Sequence, residues 1–176
     1  DGWWSRGLGD VYKRQDPFTF SVNHDLNEKN VVEELDRLLN ESVEYRKVSD
    51  VEVGLFLSGG IDSSLLGKLM KKNSDSPLKA FNVDFEENFE GYKGELKEAR
   101  FASSEIGINL NEEKINFDNF KEIFDNYAYY QDDLVGDEVG IPLYFLGKSS
   151  RSAGIKVVLV GEGSDELFYG YDHWNR

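Results

Sequence analysis

Leu57-Ser-Gly-Gly-Ile-Asp-Ser-Ser64 sets two glycines among three hydroxyls and one carboxylate, directly after an apolar run. Glycines let consecutive backbone N–H groups turn toward one point, and a helix beginning near Asp62 aims its positive end at the same place. Such a loop is a cradle for an anion. A Walker phosphate loop needs Lys after its second glycine. Gly54 and Gly59 have the right separation, but Gly60 holds the lysine position and Gly54 lies inside the preceding run. An ordinary turn capped by Asp62 and Ser63 explains single residues of the string rather than the whole. About a hundred residues later, Gly161-Glu-Gly-Ser-Asp-Glu166 opens like a dinucleotide fingerprint but has Glu166 where the third glycine belongs. Its three carboxylates would repel a bare pyrophosphate. A helix start with Ser164 as cap explains one or two of them. If the two loops end neighbouring strands, Asp62 and Asp165 can share a Mg²⁺ through oxygen ligands.

The elements that position these loops alternate. Val31 to Tyr45 places Val31, Leu35, Leu38, Leu39 and Ser42 on one side, the pattern of an amphipathic packing helix. Val51 to Leu57 reads as a strand and Ile61 to Met70 as a helix. Leu78 to Phe85 and Asn109 to Ile115 are further strands, with a helix from Leu96 to Ile106 closed by Gly107 between them. Phe117 to Tyr130 and Ile141 to Ala153 follow as helices, the second with Pro142 in its first turn, and Lys156 to Val160 is a strand, apolar after its lysine. The order β-α-β-α-β-α-α-β implies an α/β fold with a parallel sheet covered on both faces, in which ligands collect beyond the carboxyl ends of the strands.

Thirty-four acidic against 20 basic side chains leave a formal net charge of −14, with no basic stripe, so nucleic acid is not the expected partner. The absence of cysteine excludes disulfides, thiolate metal sites and cysteine nucleophiles within the sequence. No apolar run reaches the ~20 residues of a membrane helix, and the sequence expectation is a cytoplasmic protein without membrane contact. Asp1 to Gln15 lacks periodicity, and Asp10 to Gln15 resembles the translated end of a sequencing-library adapter. The expectation is therefore a scar or arm over 1–15 and a partial domain over 16–176, with both ends as cuts.

Ser58-Gly-Gly-x-Asp-Ser63 after an apolar strand resembles the pyrophosphate loop of the N-type ATP pyrophosphatases. The likeness narrows with SDVEVGLFLSGGIDSS, AFNVDF, EAR, IPLYFLGK and KVVLVGEGSDELFYGY in that order. Together they resemble the synthetase domain of the glutamine-dependent asparagine synthetases over most of Asp16 to Trp174. The resemblance implies a truncated, Rossmann-like three-layer adenine nucleotide α-hydrolase fold that uses ATP and Mg²⁺. In that family a substrate carboxylate attacks the α-phosphorus of ATP, pyrophosphate leaves, and ammonia converts the acyl-adenylate to an amide and AMP. Carried over to this sequence, the nucleotide contacts are Leu57, Ser58, Gly59, Gly60, Asp62, Ser63, Val83 and Gly161. Asp62 and Asp165 hold the metal, and Glu162 is the base toward ammonia. Leu57 and Val83 are equally well explained as core strand positions.

The same resemblance implies aspartate or another carboxylate as acceptor, ammonia from glutamine, a glutaminase domain and a catalytic lysine that this sequence does not contain, and allows a homodimer. The piece alone is expected to turn over poorly. Alternatives are a relative acting on a surface-polysaccharide sugar acid, a β-lactam synthetase-like enzyme, or an inactive nucleotide-binding module. Two departures from the family pattern stand out: Tyr130-Gln-Asp-Asp133 lacks the usual proline, and Val160 replaces a frequent Ser. The aromatics Phe120, Phe124, Tyr127, Tyr129 and Tyr130 read as core and interface. Glu86-Glu87 and Glu112-Glu113 read as solvated charges. His24 and His173 lack spacing partners and receive no role.

Overall fold

The computed structural model describes residues 25, 27–72, 74, 76–86, 94–130 and 139–171. The expectations for 1–15, His24, Glu87, 131–133 and His173 lie outside them. The chain divides into two units, 1–37 and 38–176. Helix α1 (Glu28–Lys47) starts where the Asn27 side chain accepts a hydrogen bond from the Asn30 N–H at 3.0 Å. In the second unit, β1 (Val53–Phe56), α2 (Ile61–Lys72), β2 (Lys79–Phe85), α3 (Leu96–Ile106) and β3 (Asn109–Ile115) follow in alternation. They lead to α4 (Phe117–Tyr130), α5 (Gly140–Ser152), β4 (Val157–Leu159) and the short α6 (Ser164–Phe168).

All strand pairs are parallel, and the sheet order is β3-β2-β1-β4. The chain therefore builds outward from β1 to β3 and returns to place β4 on the other side of β1. That return is a topological switch point, and in open parallel sheets the crevice for ligands lies there, outside the carboxyl ends of the strands. The two glycine loops leave the two strands that flank it.

Side-chain alternation divides the core. Leu55 and Ala80, both fully buried, join Leu69, Met70, Ala99 and Ala102 of α2 and α3, with Val43 of α1. Val83 and Phe85 point the other way, against Ile123 of α4 and Ile141 and Phe145 of α5. Both faces are packed at β1 and β2, which fits the apolar character of β1, whereas the edge strand β4 carries no buried residue. Gly107 ends α3 at φ 74°, with its N–H donated to the Ser103 carbonyl at 2.9 Å, as its position past the helix requires.

The structure refines the reading of α1 and of the α4 aromatics and corrects that of Glu112. On α1, Leu35, Leu39 and Ser42 are half-buried as read, with Leu39 packed on the core, while Val31 and Leu38 are exposed and the fully buried residue is Val43, so the inward stripe is narrower than the one read in the sequence. The aromatic group on α4 divides: Phe120 and Tyr127 pack into the core, whereas Phe124 and Tyr129 face outward. Glu112 is not simply solvated, because Arg100 of α3 holds it through two hydrogen bonds of 2.7 and 2.6 Å. This charge-assisted fork lowers the Glu112 carboxyl and raises the Arg100 guanidinium.

Candidate functional site

The first loop is fixed by its own hydroxyls and by its neighbours. Ser58 Oγ and Ser63 Oγ lie 2.9 Å apart, Ser58 Oγ accepts the Gly60 N–H at 3.2 Å, and the Ser63 hydroxyl donates to the Gly60 carbonyl at 3.3 Å. Gly60 then accepts the Ser64 N–H at 3.0 Å, the first bond of α2. Gly59 sits at φ +88°, and the place a Cβ would take is filled by backbone of Glu98 and Ala99 on α3. Any side chain there would be doubly strained, in backbone conformation and in space. Asp62 stands in the first turn of α2, where the helix end favours negative charge.

The end of β1 is tied to β2. The Leu57 N–H donates to the Phe81 carbonyl at 3.0 Å, and Asn82 Nδ2 donates to the Leu57 carbonyl at 2.8 Å. At Leu57, therefore, only the carbonyl's second lone pair is left for a ligand. Asn82 is 6% exposed, and its Oδ1 is buried without a hydrogen-bond partner among the described residues. An orphaned buried acceptor costs about 1–3 kcal/mol.

The second loop reaches the first through Gly161. A Cβ built on Gly161 would stand 3.0 Å from the Ser63 backbone nitrogen and 3.1 Å from the Asp62 carbonyl carbon. The two corners therefore meet on one side of the sheet. Further along, Gly163 takes φ 91° as the N-cap of α6, with no side-chain cap, and Ser164 is the first helical residue, so the alternative of Ser164 as cap is set aside. Tyr169 adopts φ 58° after the helix, and the Asp165 carboxylate fills the space that a Cβ on Gly170 would need. The Tyr171 hydroxyl donates to Glu166 Oε1 at 2.7 Å; that bond lowers the Glu166 carboxyl and pushes the Tyr171 phenol up to about 12.

Between the loops opens a cleft of about 780 Å³, within the range of small-molecule sites. Of the site residues read from the sequence, Leu57, Ser58, Ser63, Val83, Gly161 and Glu162 line it. Gly59, Gly60, Asp62 and Asp165 do not line it. Val83 both lines the cleft and packs on the core beneath, so its two roles coexist. The cleft also takes in residues that no motif marked. Pro142, Leu143 and Leu146 of α5 supply an apolar wall, and Val160 also lines the cleft. Glu95, just before α3, contributes a carboxyl that partial burial, then the charges of Glu98 and Asp84, push above the usual range. Asn82 carried a signal in the sequence, as the one amide inside the run AFNVDF.

A parallel sheet with a glycine-serine cradle at its switch point and an apolar wall opposite defines an α/β protein of the nucleotide-binding type. Comparison gives the family. A family model described as Asparagine synthase matches residues 34–176, and the chain belongs to that family. It is 37% identical over 161 residues to asparagine synthetase [glutamine-hydrolyzing] 1 of Bacillus subtilis, covering 88% of this chain and 25% of that protein. It is 30% identical over 165 residues to amidase chyE of Penicillium rubens, covering 86% of this chain and 24% of that one. The chain thus spans about a quarter of the length of these relatives. Among solved structures, the glutamine-dependent NAD+ synthetase from Acinetobacter baumannii in complex with ADP superposes with a TM-score of 0.50 at 18% identity. That match covers 86% of this chain and 29% of that one, and it shows the shared fold. Among the described residues, no helix is long and apolar enough to cross a membrane.

Proposed function

We propose that the cleft binds ATP and that, in the longer protein, it serves the ATP-dependent amidation of a carboxylate, with aspartate as the first acceptor to test. The observation that carries this is the contact of Gly161 with the Asp62-Ser63 backbone, which joins an anion cradle and an acidic loop at one switch point. The hydroxyls of Ser58 and Ser63, which line the cleft, and the N–H groups at the start of α2 would receive the phosphates, and the apolar wall from α5 would cover the base. Preorganised donors of this kind stabilise the charge that builds on departing pyrophosphate when a carboxylate attacks the α-phosphorus.

Magnesium fits the donor chemistry. Asp62 and Asp165, which follow hydrogen-bonded neighbouring strands, offer oxygen donors of the kind Mg²⁺ takes, but neither lines the cleft, and the Asp165 carboxylate lies against Gly170. Two carboxylates with the other positions left to water and phosphate suit Mg²⁺, which would neutralise phosphate charge there, and do not suit a closed metal cage. Glu162, which lines the cleft beside Gly161, is the proposed base that accepts a proton as ammonia adds to the acyl-adenylate. Ammonia is proposed to come from glutamine hydrolysed elsewhere in the longer protein. The acceptor stays open, since a relative at similar coverage is named an amidase.

Calorimetry with ATP and Mg²⁺ tests the site. Wild type binds, Asp62→Ala and Asp165→Ala each weaken binding about tenfold or more, and unchanged affinity in both variants removes the metal assignment. Pyrophosphate release by the longer protein, with aspartate compared against sugar acids, tests the acceptor. No aspartate-dependent signal removes asparagine synthesis.

A further inference from the structure

We propose that Asn82 is a specificity residue of the cleft, its side-chain oxygen accepting a hydrogen bond from an N–H or O–H donor on the nucleoside half of the bound nucleotide. This rests on the assignment of the cleft to ATP. Asn82 Nδ2 is committed to the Leu57 carbonyl at 2.8 Å, which fixes the amide's orientation, since a flip would set two acceptors against each other. The oxygen so oriented is buried and unpartnered among the described residues, in a side chain that lines the cleft. A buried acceptor in that state lacks a donor, and a site built to hydrogen-bond a substrate group discriminates strongly against an analogue without it.

The chemistry of the ligand narrows the partner. Ionised phosphates only accept, so they belong with the N–H groups and hydroxyls of the Ser58–Ser63 turn, and Asn82 Oδ1 has nothing to receive from them. The donors of an adenine nucleotide are the exocyclic amino group and the ribose hydroxyls. Asn82 stands beside Leu57, where the cradle begins, and Val83, next in the chain, leads to the apolar wall. The residue is therefore placed between the phosphate end and the base end of the cleft. Its amide performs two tasks with its two ends: the nitrogen clamps the strand from which the cradle springs, and the oxygen reads the nucleoside.

The experiment is calorimetry of the 176-residue chain with ATP and three analogues in Mg²⁺: inosine triphosphate, which replaces the amino group by a carbonyl, 2′-deoxy-ATP and 3′-deoxy-ATP. In wild type, one analogue binds roughly 5- to 30-fold more weakly than ATP, identifying the donor as amine or hydroxyl. In Asn82→Ala that one ratio collapses to within about twofold, while the other two are unchanged. Three outcomes overturn the proposal: no analogue loses affinity in wild type, every ratio survives in Asn82→Ala, or Asn82→Leu keeps every ratio and gains thermal stability. The last assigns the oxygen to an interior water. If Asn82→Ala does not fold, Asn82→Ser supplies the comparison, and the wild-type series stands without any variant. Absence of ATP binding by wild type overturns the nucleotide assignment itself, and that result is distinct from binding without discrimination.

Discussion

The two glycine loops perform neighbouring tasks with very different support. The loop after β1 has hydroxyl bonds inside it, α3 backbone against Gly59, an amide clamp at its root and a 12-residue helix behind it. The loop after β4 leads into a five-residue helix with no buried residue, and its Leu167, Phe168 and Tyr169 are 62–71% exposed. Its close approach to the first loop is at Gly161, and Glu162 joins the lining of the cleft. Preorganisation is thus concentrated where charge must be received.

The largest effect is expected where the first loop touches α3. Gly59→Ala forces a left-handed backbone onto alanine and drives its Cβ into the Glu98-Ala99 backbone, at a cost of about 2–4 kcal/mol, measured by chemical denaturation. Next comes Gly161→Ala, whose Cβ meets backbone at 3.0–3.1 Å that can yield only by moving one loop from the other. It lowers ATP affinity about tenfold with a stability loss of about 1–2 kcal/mol, read by calorimetry and denaturation. A change in stability as large as that of Gly59→Ala, with ATP binding intact, would show that the two loops are not coupled through this contact.

Smaller effects separate the charges beside each loop. Glu95→Gln removes a carboxylate from the cleft and tightens ATP binding about threefold at pH 7. Because burial raises the Glu95 pKa, its contribution to stability is present below the ordinary carboxylate range and is lost as pH rises through the shifted value. The Gln variant therefore gains Tm over wild type at neutral pH and not near pH 4. Smallest is Tyr171→Phe in the second loop. Its bond to Glu166 contributes between the carboxylate range and about pH 10, is lost below as Glu166 protonates, and is lost above as Tyr171 ionises near 12. A Tm change of no more than about 2 °C at pH 7 is expected for so exposed a pair.

What was legible in the sequence follows the reach of each interaction. The alternation of strands and helices, the Gly107 cap and the two loops depend on local spacing and backbone freedom, and the structure repeats them. The sheet order depends on pairing across the chain. Only the pairing of β4 with β1 brings the loops together, and neither strand states its neighbour. Asn82 was visible as a polar break in a strand, but its partner Leu57 is 25 residues away. Glu112 likewise read as solvated because Arg100 sits 12 residues earlier, on a different element. The place of Asp165 was hidden by the turn at Tyr169 and Gly170, which no motif encodes in its spacing.

One NMR measurement addresses the joint site most directly: amide line broadening in the labelled chain on addition of ATP with paramagnetic Mn²⁺ in place of Mg²⁺. The account predicts that amides of Gly59 to Ser63 and of Gly161 to Glu166 broaden together and saturably, and that unlabelled Mg²⁺-ATP reverses both. Broadening of one loop alone, or of neither while the nucleotide binds, would contradict it.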